Sequence, residues 1–168
     1  MSQAVEEVMY KKVVVFQLKD KEYAIPVERV KAIEKVLHIT RVPNATNYIK
    51  GVINLRGVVT PIIDLRARFE LAQQEYTEST RIIIVSVDEM EVGLIVEAAN
   101  DVIDIPIENI EPQPDVVGTD EAEFITGVAK IIPIIPKKCP NSNRPTIIVT
   151  GCNFIVLLIT TGCKKYLS

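Results

Sequence analysis

Apolar and polar positions alternate from the start of the chain's first ordered stretch. Val13–Lys19 places Val14, Phe16 and Leu18 on one face, and Tyr23, Ile25 and Val27 alternate after the polar bend Asp20-Lys21. A period of two on both sides of a short polar bend predicts a β-hairpin. Pro26 closes it, where a missing N–H suits the first turn of a helix. Val30, Ile33 and Val36 then recur at helical spacing, with Glu28, Lys31, Glu34 and Lys35 between them. The spacing predicts a short helix over 27–36 that buries Ile33 and Val36 and leaves Val30 at the edge of a groove. His38 to Pro43 and the polar run 44–47 lead into the stretch on which the rest is organised.

That stretch is Tyr48–Leu65, YIKGVINLRGVVTPIIDL. Its β-branched runs 52–55 and 58–65 flank Arg56-Gly57, and Gly57 can take the positive φ of a tight reversal. Pro61 cannot donate to a ladder, so its strand lies at an edge or turns that nitrogen outward. Asp64 stands where the strand pattern stops and 66–69 begins, the position of a helix N-cap. A polar connector, 71–80, follows. Strands are then predicted at 81–87 and 91–96, with a bend at Asp88-Glu89.

The order repeats. Residues 18–25 and 87–94 share a strand–bend–strand character, and Tyr48-Ile49-Lys50-Gly51-Val52 is echoed by Phe124-Ile125-Thr126-Gly127-Val128. Two related β subdomains in tandem follow, built as small barrels with few helices. The echo then breaks. Pro133, Pro136, Pro140 and Pro145 forbid a regular central strand across 132–145. Beyond them TIIVTGCNFIVLLITTGC is β-branched, and its longest apolar run, 154–159, is far too short to span a bilayer as a helix.

Composition narrows the chemistry. The 168 residues carry a net charge of −3 and few aromatic rings, against the basic, ring-bearing face of a nucleic-acid binder. Nearly half are apolar, enough for a real core. One histidine and three scattered cysteines (Cys139, Cys152, Cys163) give no metal framework and no Cys–His dyad. Asp64, Asp101, Asp104 and Glu108 are not spaced to share a proton or a metal. No catalytic residue, metal or cofactor is expected. The acid-bearing N-terminus is not an export signal, which makes a cytoplasmic protein the expectation.

Several segments in order carry a family resemblance: FQLKDKEYAIPV (16–27), VKAIEKV (30–36), TRVP (40–43), YIKGVINLRGVVTPIIDLRARF (48–69), VGLIVEAANDV (92–102) and FITGVAK (124–130). Together they resemble the CheW-like adaptor family of bacterial chemotaxis, over about 13–131. The resemblance implies a mainly β fold of two tandem five-stranded SH3-like β-barrel subdomains, approximately 13–70 and 81–131, sharing an apolar core. Residues 1–12 would be an N-terminal arm and 132–168 an atypical C-terminal tail, either a frameshift product or a divergent segment. A β-rich run within 146–160 is expected to replace the strand missing after 127–131, because an open barrel edge is costly.

The function implied is a non-catalytic adaptor that links the cytoplasmic tip of chemoreceptors to the regulatory domain of the CheA histidine kinase, at membrane-associated arrays. The alternative within the same fold is a regulatory domain detached from such a kinase. Arg56, with Gly57, occupies the NLRG motif associated with receptor coupling, and Val30, Ile33 and Gly51 fall on positions resembling the receptor-facing groove. Val116 and Val117, an apolar pair in a proline loop, are the candidate kinase contact. Where many relatives carry an acid two residues after Val30 this chain has Ala32, with Glu34 two further on.

Overall fold

The computed structural model describes residues 8–19, 21–87, 89–112, 125–130, 146–150 and 156–160. Twelve strands are seen among them: β1 (Tyr10–Leu18), β2 (Lys21–Pro26), β3 (Val30–Lys35), β4 (Ile49–Leu55), β5 (Val58–Asp64), β6 (Arg81–Val87), β7 (Met90–Val96), β8 (Ala98–Pro106), β9 (Ile110–Pro112), β10 (Ile125–Lys130), β11 (Thr146–Thr150) and β12 (Val156–Thr160). One helical turn, α1 (Leu65–Arg68), follows β5. The strands form a five-stranded sheet, β3-β6-β7-β5-β4, and a seven-stranded sheet, β8-β1-β2-β12-β11-β10-β9. The fold is mainly β, with two SH3-like units.

The sheets do not divide at the 71–80 connector. The expected split into 13–70 and 81–131 is corrected by the pairing: the first hairpin, β1–β2, belongs with β8–β12, and β6–β7 belong with β3–β5. The hairpins β1–β2 and β6–β7 are each apolar on both faces, which lets each join the sheet built by the other half of the chain. Val13 and Val15 pack with Ala24, Ile105 and Ala129 inside the seven-stranded unit. Phe16, Leu18, Tyr23 and Ile25 face the other way, against Leu65, Phe69, Ile83, Val85, Leu94 and Val96. Ile82, Ile84 and Ile95 in turn join Ile53 and Ile62 inside the five-stranded unit. Runs such as Val13-Val14-Val15-Phe16 and Ile82-Ile83-Ile84-Val85 are the signature of strands covered on both sides. The apolar core between the units is therefore shared, and Tyr23 is stacked between Phe16 and Phe69 at 5.5 Å from each ring.

The helix expected over 27–36 is absent. Val27–Arg29 is a single 3-10 turn behind Pro26, and Val30–Lys35 is β3, paired antiparallel with β6. Val30 and Ile33 are β-branched and suit a strand, although their spacing then places them on opposite faces, and the β6 ladder decides the matter. The correction extends to burial. Ile33 is 42% exposed and Val36 is half-buried, because the strand period turns Lys31, Ile33 and Lys35 outward. Strand β8 has no counterpart in the sequence reading, since Asp101 and Asp104 interrupt its apolar pattern on the exposed side.

The internal echo has a geometric basis. Gly51 and Gly127 each sit at a register shift in their strands, β4 and β10. A Cβ on Gly127 would lie 2.5 Å from the carbonyl oxygen of Glu111, just as one on Gly51 would strike Thr40. The tail supplies the strand that the echo lacks. β11 pairs antiparallel with β10, and β12 pairs with β11 and then with β2, which joins the two halves of the larger sheet. The expected replacement from within 146–160 is what the backbone shows. The proline-rich run 131–145 lies outside the described residues.

Candidate functional site: the hairpin at Arg56

β4 and β5 pair with Leu55 opposite Val58, so Arg56-Gly57 is a two-residue loop. Both residues have positive φ, 52° and 88°, as the hairpin turn matching strand twist requires. Gly57 adopts this at no cost, and its N–H is held by Asn54 Oδ1 at 2.8 Å. Arg56 does not: a left-handed backbone disfavours a long side chain, and asparagine or glycine is the usual occupant. The residue is exposed, and no hydrogen bond or ion pair engages its guanidinium among the described residues. Glu34, the acid nearest the position where relatives carry one, is half-buried on β3 and is not its partner.

Two residues beside the turn were missed by sequence reasoning. Val58 is 50% and Val59 67% exposed. Consecutive valines in an alternating strand must place at least one side chain outward, and that was the available signal. The tip therefore combines an unpaired cation with an apolar shoulder. Its base is rigid. Val52 exchanges both backbone bonds with Thr40 at 2.9 Å, so Val52 and Pro61 form the pair without mutual hydrogen bonds, and the Pro61 nitrogen points away from β4. β5 is an inner strand, but its parallel pairing with β7 starts only at Ile62, so Pro61 interrupts no ladder.

At the other end of β5 the Asp64 side chain caps α1, accepting from the N–H groups of Arg66 (2.9 Å) and Ala67 (3.4 Å). Lys50 Nζ lies 3.4 Å from Asp64 Oδ2 and donates to Gln73 Oε1 at 3.3 Å, which ties the connector to β4. Burial, with the Asp64 carboxylate adding to it, pushes the Tyr76 hydroxyl above the usual phenol range. A cleft of about 210 Å³ lies here, lined by Gln17, Asp64, Arg66, Tyr76 and Glu97.

The remaining expected positions are dispersed around this unit. Val30 is half-buried against the shared core, Ile33 is on the outer face of β3, and Gly51 is buried. The segment after β3 returns to β4 through the Thr40–Val52 bridge, so β3 and β4 are joined around the open side of the sheet. Val116 and Val117 lie outside the described residues. His38 is exposed, and no group of three potential metal ligands is found among the described residues. No helix among them is long and apolar enough to cross a membrane.

The model of the CheW-like domain matches residues 12–135, which hold most of β1, all of β2 to β10 and the Arg56 turn, but not β11 and β12. The chain belongs to the CheW-like family. Chemotaxis protein CheW of Bacillus subtilis is 51% identical over 119 residues, covering 71% of this chain and 76% of the relative. The protein of that name in Klebsiella aerogenes is 37% identical over 117 residues, 70% of each. Among solved structures, the scaffolding protein TtCheW of Thermoanaerobacter tengcongensis superposes with a TM-score of 0.73 at 36% identity, covering 86% of this chain and 90% of that one.

Proposed function

We propose that this CheW-like chain is a non-catalytic scaffold of a chemotaxis array, coupling the cytoplasmic tip of a chemoreceptor to a CheA-type histidine kinase in the cytoplasm. One observation carries the reading. Arg56 is kept in a backbone conformation that favours a smaller residue, exposed to solvent and beside exposed Val58 and Val59. Local strain of this kind is retained where a side chain serves a partner. A receptor tip is an amphipathic helical hairpin, and it suits an apolar shoulder with one cation at the rim.

Ile33 supplies further apolar contact from the outer face of β3, Val30 backs it from the core side, and Gly51 acts through shape, letting Thr40 approach β4. Gly57 sets the turn that presents Arg56. Val116 and Val117 form the kinase-facing contact in this reading. Coupling needs no cofactor or chemistry: which arrangement of receptor and kinase the scaffold permits sets kinase output, and weak contacts suffice in a multivalent array.

Co-sedimentation of the full chain with a receptor-tip helical hairpin, and separately with a kinase regulatory domain, tests the proposal. Binding of both at micromolar concentrations is expected. Failure of either the receptor tip or the kinase domain to bind overturns it.

A further inference from the structure

Glu97 is the single residue at the bend between β7 of the smaller sheet and β8 of the larger. Its N–H donates to the Gln17 carbonyl at 3.1 Å, and its Oε1 accepts from the N–H of Lys19 at 2.7 Å. Both contacts are to the end of β1 and its turn, in the larger sheet. The same carboxylate oxygen is ion-paired with Arg66 of α1, which hangs from β5 in the smaller sheet. Arg66 Nε donates in addition to the Ala72 carbonyl at 2.8 Å, holding the start of the connector. The two side chains are 13% and 26% exposed. One carboxylate thus joins both sheets and the connector.

The core shared between the sheets is apolar, and apolar contact is non-directional. It holds the sheets together without choosing one angle between them. The bonds at Glu97 are directional, and its ion pair with Arg66 is part-buried, so they specify an angle, and leaving one member unpaired would be costly. β5 has the Arg56 turn at one end and the Asp64 cap at the other, from which α1 and Arg66 follow directly. The tip and the Glu97 junction are two ends of one strand.

We infer that Arg66 and Glu97 form a clasp that fixes the angle between the two SH3-like units and links displacement of the Arg56 hairpin to the larger sheet. The link to the hairpin rests on the proposed docking role of that hairpin; the clasp itself does not.

Arg66→Gln and Glu97→Gln test it by amide hydrogen exchange. Exchange across 71–80 and in the peptide containing Lys19 should rise about tenfold or more, while 82–85 and 13–16 keep their protection. Glu97→Gln retains an acceptor for Lys19, so it serves if Arg66→Gln does not fold. A spin-label pair at Lys12→Cys and Lys31→Cys, with Cys139, Cys152 and Cys163 replaced by serine, should show a broadened inter-unit distance in both variants. Uniform acceleration of all amides, or an unchanged distance distribution, overturns the clasp.

The coupling is read by adding a receptor-tip helical hairpin. In the wild type it should slow exchange at both the Arg56 hairpin and the Lys19 peptide; in Arg66→Gln it should slow the hairpin alone. Slowing confined to the hairpin in the wild type overturns the coupling. A tip that does not bind the wild type at all overturns the docking role and the coupling, while the clasp is still judged by the first two measurements.

Discussion

Gly51 and Thr40 are held so close that a Cβ on Gly51 would sit 2.1 Å from the Thr40 carbonyl oxygen. The φ of Gly51 is +149°, a conformation side chains disfavour, and the approach allows Val52 to exchange two backbone bonds with Thr40. Gly51→Ala meets backbone, which cannot swing aside. A loss of about 2–4 kcal/mol is expected, from strain together with the broken bridge. Urea unfolding measures it. A loss below about 0.5 kcal/mol would mean that the strand bulges away without penalty.

The same relationship marks how far the sequence could be read. The Gly51 and Gly127 echo was visible because only glycine tolerates such an approach, and Arg56-Gly57 was visible as a turn. Asp64 as a cap, the hairpins and the nature of the tail strands were also legible, since each rests on neighbours in sequence. The exchange of hairpins between sheets was not. Ile82-Ile83-Ile84-Val85 states that both faces are covered but not by what, and pairing across dozens of residues leaves no local trace. β3 is not legible locally because Val30 and Ile33 stand at helical spacing, and only the ladder with β6 shows the strand. Val59 was passed over because a valine in a strand reads as core.

Glu22 carries a pH dependence. Burial first, then the Asp101 carboxylate, raise its pKa above the ordinary value of 4.5. The folded state therefore holds this proton more tightly than the unfolded state. Stability from this group is greatest at low pH and declines as pH rises from the unfolded pKa through the raised folded one. Glu22→Gln should raise the unfolding midpoint at pH 7 and leave it nearly unchanged near pH 4. Equal shifts at both pH values would show that charge is not the cause.

Strands β11 and β12 fill the space between β10 and β2. A chain ending at residue 135 would leave β10 without a partner on one edge and β2 likewise. Unpaired edges beside an apolar core template association with other chains. The shortened chain is expected to aggregate, or to elute as an oligomer where the full chain does not. Light scattering after size exclusion decides it: a monomeric truncation with an unchanged melting temperature would remove the two strands from the fold's requirements.

Arg56→Asn tests the central claim most directly. Asparagine suits the left-handed position at φ 52°, so the variant should be as stable as the wild type or more stable by about 1 kcal/mol. It removes the cation, and if that charge is desolvated against a receptor carboxylate the affinity should fall by about 2–5 kcal/mol. Calorimetric titration of a receptor-tip helical hairpin, with thermal unfolding of the same samples, gives both numbers. Weakened binding with an equal or higher melting temperature is the predicted result; unchanged affinity in the folded variant would contradict the account.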